Sequence, residues 1–290
     1  MRVRPICAAV HHSDHLIQNS GSLDRRIRAF QCWVCATAQG LRLFYTPMAS
    51  AIDQMTSELP CGLGPDAYSR WRASEIGGIT DRLERQLILE LVGDVKGCKI
   101  LDVGCGDGKF AVELSMRGAI VVGIDASAEM IDAAKRRVVG RTGDIRFQVA
   151  KAEHIPSAAE QFDVVTAITI LCFVDDAARI FQEIARVLRP GGRLIIGELG
   201  KWSIWAAGRR VRALLGSTLW RRGSFRTADE LRGLAQRSGL VVETVRGAIY
   251  YPRCSAAARL MSAYDPLLSR HTTLGAAFLA LCAVKPRGPD

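Results

Sequence analysis

The residues with the clearest chemical potential form one short run, Lys99-Ile100-Leu101-Asp102-Val103-Gly104-Cys105-Gly106-Asp107-Gly108. An apolar strand running into closely spaced glycines makes a turn whose backbone can approach a ligand without a Cβ in the way, and a helix that follows would aim its free N–H groups at that ligand. A dinucleotide fingerprint would require a third small residue at position 109, where Lys109 stands, so a nicotinamide or flavin enzyme is disfavoured. The second polar group comes at the end of the next apolar run, where Val121-Val122-Gly123-Ile124 delivers Asp125. A carboxylate there can accept from both hydroxyls of a ribose. It could instead cap the following helix, a task that Ser127 can perform alone.

Holding such a turn in place takes a sheet, and the pattern around it supplies one. Apolar runs at 99–103, 120–124, 145–149, 162–168 and 193–198 read as strands, with amphipathic helices expected at 109–116, 128–138 and 177–188 between several of them. Such alternation predicts an α/β protein with a parallel sheet covered on both faces. Ala177, Ile180, Phe181, Ile184, Val187 and Leu188 share one helix face, which Pro190-Gly191-Gly192 should end. One helix is expected over 68–92 before the core. Thr227 and Glu230 have capping-box spacing and should open a helix that stops at Gly239, and the last two strands are expected at 240–245 and 276–284. Residues 1–60 lack sustained periodicity and are set aside as an N-terminal extension, leaving 61–290 as a single catalytic domain.

Taken together, LDVGCGDG at 101–108, VVGIDAS at 121–127, AEHIP at 152–156, FDVV at 162–165 and RVLRPGGRLII at 186–196 resemble the class I S-adenosylmethionine-dependent methyltransferases, in their type 11 branch. The likeness covers about residues 75–245. It implies a Rossmann-like sheet of seven mostly parallel strands with helices on both faces and an antiparallel last strand. It also implies S-adenosyl-L-methionine as cofactor. Carried over by position, Asp102 and Gly104 would hold the methionine part, Gly106 and Gly108 would line its path with Cys105 just before them, and Asp125, followed by Ala126, would take the ribose. The family often has an aspartate just before the Ala-Glu pair, accepting from the adenine amino group; here Lys151 stands there, and a lysine cannot accept. Adenine contact therefore shifts to the backbone of Ala152 or the side chain of Glu153, which otherwise reads as a solvated turn carboxylate.

A sulfonium carries its methyl group already activated, so the protein has chiefly to position a nucleophile in a dry site. If the acceptor needs a base, the candidates are His154 beside the adenine turn, and Tyr250 and His271 in an insertion at 247–275. Cys172 falls where related enzymes face the transferring methyl, and it reads equally as a buried thiol. The formal charge of +10 is concentrated: Lys201, Arg209, Arg210, Arg212, Arg221, Arg222 and Arg226 occur at 201–226 without an Asp or Glu among them. With Trp202, Trp205 and Trp220, and with Ile204, Gly208, Val211 and Leu215 on one helical stripe, this stretch is expected to be a lid over a small-molecule acceptor that is hydrophobic or anionic. It is also a candidate for peripheral contact with an anionic membrane, which would suit a lipid or quinone-type acceptor. No Pro-Pro-Tyr acceptor motif or aromatic RNA-binding pattern accompanies the charge, so nucleic acid is not expected; an RNA methyltransferase and a non-catalytic cofactor-binding protein are the remaining alternatives. Cys32 and Cys35 have no second matching pair, and no metal is expected. The short apolar stretch at the N-terminus and a longest apolar run of LGAAFLALCAV predict neither a leader nor a span, hence a cytoplasmic protein.

Overall fold

The computed structural model describes residues 65–140 and 143–287. The N-terminal extension set aside above lies outside the described residues. Two helices, α1 (Pro65–Ala73) and α2 (Glu75–Val92), precede β1 (Lys99–Val103). Then follow α3 (Lys109–Met116), β2 (Ile120–Asp125), α4 (Ala128–Val138), β3 (Ile145–Val149), β4 (Phe162–Ile168), a 3-10 turn (Leu171–Phe173), α5 (Ala177–Val187) and β5 (Leu188–Leu199). The chain ends with α6 (Ile204–Leu214), α7 (Thr218–Arg222), α8 (Ala228–Arg237), β6 (Val241–Ala248), α9 (Ser255–Met261), α10 (Asp265–His271) and β7 (Phe278–Val284).

The seven strands form one sheet in the order β3-β2-β1-β4-β5-β7-β6. Strands β1 to β5 pair in parallel, and β7 runs antiparallel to both β5 and β6. The expected Rossmann-like α/β architecture is therefore present. Chain order reverses between β1 and β4, since β2 and β3 lie on one side and β5 on the other. That reversal opens a crevice at the carboxyl ends of the strands, where a ligand can enter. Two apolar layers fix the helices on the two faces: Leu101, Val103 and Val165 pack with Ile180, Phe181 and Ile184 of α5, while Ile100, Val121 and Ile195 pack with Leu87 and Ile88 of α2.

Several local expectations are corrected. The helix over 68–92 is two helices, because Ser74 sits in extended backbone and its Oγ caps α2 by accepting from the Gly77 N–H. The helix expected over 177–188 does end, at Val187, but Pro190-Gly191-Gly192 lies inside β5. The reason is that Leu188 already pairs with Phe162 and a register shift before Val164 absorbs the irregular residues. The insertion after β6 folds into α9 and α10, anchored where the Asp265 carboxylate accepts from the Ile249 and Tyr250 N–H groups at 2.9 and 3.0 Å. The capping box is formed in both directions between Thr227 and Glu230.

Candidate functional site

The turn after β1 is held from the neighbouring strand. Gly104 N and Cys105 N both donate to the Ile124 carbonyl, at 2.8 and 2.9 Å. Gly106 N donates to Asp125 Oδ2 at 2.9 Å and Ser127 N to Asp125 Oδ1 at 2.9 Å. Ser127 is itself the cap of α4, its Oγ accepting from the Met130 N–H, so Asp125 is not needed there. Gly104, Gly106 and Gly108 all have positive φ. Their surroundings differ. A Cβ on Gly104 would strike Ile170 and one on Gly108 would strike Phe147 and Ala134, whereas a Cβ on Gly106 would meet nothing within 4 Å. Gly106 is therefore the point at which the turn faces open space.

Asp102 lies beneath this turn, 3% exposed, with Thr166 Oγ1 donating to its Oδ1 at 2.7 Å. Burial pushes its carboxyl up to about 7 despite that hydrogen bond. Cys105 is also buried, and its thiol is pushed well above the ordinary range chiefly by burial, then by Asp102. Asp107 joins the turn to the surrounding helices, accepting from Arg72 of α1 and Arg137 of α4. The turn after β3 is set by α5: Glu183 Oε2 accepts from the Ile155 N–H, and Arg186 donates to the Ser157 and Ile155 carbonyls. Ala152 is buried in this turn, Glu153 is half-buried with its carbonyl accepting from Arg179, and Lys151 is exposed. Ala126, next to Asp125, is exposed.

The four catalytic candidates are not brought together. His154 is exposed after the edge strand β3, and His271 is exposed at the end of α10. Tyr250 donates its hydroxyl to the Thr272 carbonyl, which ties the ends of the insertion. Cys172 is buried in the 3-10 turn rather than at a strand end, and its Sγ donates to the Thr169 carbonyl at 3.6 Å. Burial, followed by the neighbouring Glu198, drives this thiol well up and keeps it protonated.

Sequence reasoning missed two carboxyls, Glu198 and Glu84, and read Arg209 only as one residue of the basic stretch. Glu198, fully buried at the end of β5, accepts from the Leu199 N–H through Oε1 at 2.7 Å, while Oε2 has no partner; burial pushes this carboxyl up to about 7. Glu84 of α2 is pushed up to about 8 by desolvation. Arg209 of α6 lies among Trp205, Trp220 and Phe225 at 5.6, 5.0 and 5.8 Å from the ring centroids. A carboxylate inside the apolar run Leu194-Ile195-Ile196-Gly197-Glu198-Leu199 is a signal that could have exposed Glu198. The orientation of α6 is also the reverse of the expected one. Trp205 and Ala206 are buried, whereas Ile204, Val211 and Leu215, from the stripe read as its apolar face, are 66%, 45% and 65% exposed, and Trp202 is exposed with them.

Among the described residues there is no grouping of side chains suited to a metal ion, the cysteines are free thiols, and no helix is long and apolar enough to cross a membrane.

Comparison with known proteins places the geometry in a family. The model of a methyltransferase domain matches residues 101–196, which run from β1 into β5. The ubiquinone biosynthesis O-methyltransferase of Coxiella burnetii is 31% identical over 176 residues, covering 59% of this chain and 72% of that protein. An uncharacterized protein of Mycobacterium tuberculosis is 31% identical over 231 residues, covering 80% and 75%. In structure, a SAM-dependent methyltransferase from Thermotoga maritima superposes with a TM-score of 0.58 over 76% of this chain and 95% of that one, at 22% identity, which shows the shared fold.

Proposed function

Because the chain belongs to the class I S-adenosylmethionine-dependent methyltransferases and uses S-adenosyl-L-methionine, we propose that it methylates a small-molecule acceptor seated over the carboxyl ends of β4 and β5. The observation that carries this reading is the Gly106–Asp125 hydrogen bond beside an unobstructed Gly106. The residues present fit the cofactor: an open backbone turn, an acid at the neighbouring strand end, and a buried carboxylate beneath them. When bound, the cofactor supplies an electrophilic methyl group on a sulfonium.

The chain's own residues then have separable tasks. Asp125 receives the ribose hydroxyls, its orientation set by Gly106 N and Ser127 N. Gly104, Gly106 and Gly108 give the backbone its close approach. Cys105 fills the space below the turn. Asp102 holds the turn from beneath through Thr166 and contributes to the methionine end. Ala126, the Ala152 backbone and Glu153 border the adenine. Trp205, Trp220 and Phe225 wall the acceptor side and keep water out, so that positioning supplies most of the rate. The role of the Coxiella relative in ubiquinone biosynthesis supports a small molecule as acceptor.

A second reading concerns the setting. The exposed apolar residues of α6 lie among Arg210, Arg212 and Arg221, an arrangement suited to lying on an anionic membrane surface and collecting an acceptor from it.

The primary test is calorimetric titration of the full chain with S-adenosylhomocysteine, followed by transfer of labelled methyl into a small-molecule extract. Saturable one-to-one binding and a labelled low-mass product are expected. Binding without any labelled product, or label only in RNA, would overturn the acceptor class.

A further inference from the structure

We propose that Arg209 is the recognition residue for an anionic group on the methyl acceptor, with Trp205, Trp220 and Phe225 forming the walls of its seat. This rests on the reading that the acceptor lies over the carboxyl ends of β4 and β5. Arg209 is on the inward side of α6, one turn after the buried Trp205. Its guanidinium carbon is 5.0 Å from the Trp220 centroid, 5.6 Å from Trp205 and 5.8 Å from Phe225.

The cation is also unanswered. Its Nη1 is out of contact with solvent and has no hydrogen-bond partner, and among the described residues Arg209 joins no ion pair. By contrast, Arg72 and Arg137 meet Asp107, and Arg186 meets Glu183. A guanidinium removed from water without a counterion is costly, and the faces of three aromatic rings offset only part of that cost. Glu84 of α2 is close enough to act on Arg209 electrostatically but forms no ion pair with it. Desolvation raises the Glu84 carboxyl to about 8, which weakens it as a counterion to the arginine. Arg253, over the Trp205 ring at 5.7 Å, adds positive charge to the same region.

The location is the right one. Ser224 N donates to the Cys172 carbonyl at 3.0 Å, which ties the segment carrying Trp220 and Phe225, and with them Arg209, to the 3-10 turn that follows β4. A planar guanidinium with an idle donor, framed by rings that can stack on an apolar body, fits a carboxylate or phosphoryl group attached to such a body.

The experiment uses the full chain saturated with S-adenosylhomocysteine and three probes with one apolar body: 1-naphthoate, 1-naphthyl phosphate and the neutral 1-naphthamide. Calorimetry should show at least one anion binding tenfold or more tightly than the amide, and which anion it is separates carboxylate from phosphoryl recognition. Arg209→Gln should bring that anion to the amide's affinity while leaving S-adenosylhomocysteine binding within twofold. Arg209→Lys, which keeps the charge but loses the fork, should retain a preference reduced threefold or more. It carries the comparison if the glutamine variant fails to fold. Anions that bind no better than the amide, or a preference unchanged in the lysine variant, overturn the proposal. Failure of the wild-type chain to bind S-adenosylhomocysteine would instead strike the cofactor reading beneath it.

Discussion

Gly106 and Asp125 are joined by a 2.9 Å hydrogen bond that spans the ends of adjacent strands, from the turn after β1 to the last residue of β2. With Ser127 N on the other oxygen, the carboxylate is oriented by two backbone donors before any ligand arrives. Such preorganisation lowers the ordering cost at binding, and it depends on the backbone of the very turn that must also leave room for the ligand.

Asp125→Ala removes the ribose acceptor together with the anchor of Gly106 N. Binding of S-adenosylhomocysteine should weaken at least tenfold, or about 1.4 kcal/mol. The melting temperature should move little, because Ser127 still caps α4. Titration calorimetry alongside a thermal melt checks both parts, and an unchanged affinity would remove the ribose assignment.

The glycines of the turn should separate binding from stability. Gly106→Ala places a methyl in open space, so its main effect should be a loss of cofactor affinity of tenfold or more, with a backbone cost of about 1 kcal/mol for its positive φ. Gly108→Ala meets Phe147 Cζ at 2.7 Å and Ala134 Cβ at 2.8 Å, so it should lower the melting temperature more than Gly106→Ala does. The reverse ranking in a melting series would show that Gly106 does not face the cleft.

How much of this is legible beforehand depends on whether a residue's role is written in its neighbours along the chain. The parallel sheet, the glycine turn and Asp125 are local patterns: apolar runs, closely spaced glycines and an acid one strand later. The strand bounds at 99–103, 145–149 and 162–168 are met to the residue. The break at Ser74 is missed because apolar spacing continues across it while the Ser74 Oγ, donating to the Trp71 carbonyl and accepting from the Gly77 N–H, divides the helix. Glu84 and Glu198 are missed for a different reason. Glu84 lies on α2, far along the chain from β5 and α6, so no local spacing links it to Glu198 or Arg209. The orientation of α6 is likewise undetermined by its own periodicity, since Ile204, Val211 and Leu215 offer one apolar stripe and Trp205 with Ala206 another. The Trp205 Nε1 hydrogen bond to the Tyr251 carbonyl at 2.8 Å helps to fix which one faces inward.

The outward stripe makes the membrane reading testable. Leu214 and Leu215 are 87% and 65% exposed and Ile204 66%, beside arginines that would face anionic headgroups. In sedimentation assays the protein should bind vesicles containing phosphatidylglycerol and not neutral vesicles, and binding should fall as salt rises, since screening shortens the reach of exposed charges to about 8–10 Å near physiological ionic strength. Leu214→Glu with Leu215→Ser should reduce binding at least fivefold without affecting S-adenosylhomocysteine affinity. Sedimentation indifferent to lipid charge would remove the membrane from the account.

Glu84 gives a pH signature with a definite sign. Its carboxyl is raised from 4.5 to about 8 by desolvation, so the folded chain holds this proton more tightly than the unfolded chain does. The resulting stabilisation is fully present below the ordinary carboxylate range and is lost as pH rises towards 8. Glu84→Gln has no proton to lose. Its melting temperature should match or fall slightly below wild type at pH 5 and exceed it at pH 8.5, with about 2–4 °C gained for each kcal/mol of desolvation relieved. Asp102 and Glu198, both near 7, slope in the same direction and titrate in both proteins, so the diagnostic quantity is the difference between the two curves rather than either one. A difference that stays constant from pH 5 to 8.5 would mean that Glu84 is ionised throughout. It would then serve as a standing counterion to Arg209, which would have no charge left to offer an acceptor.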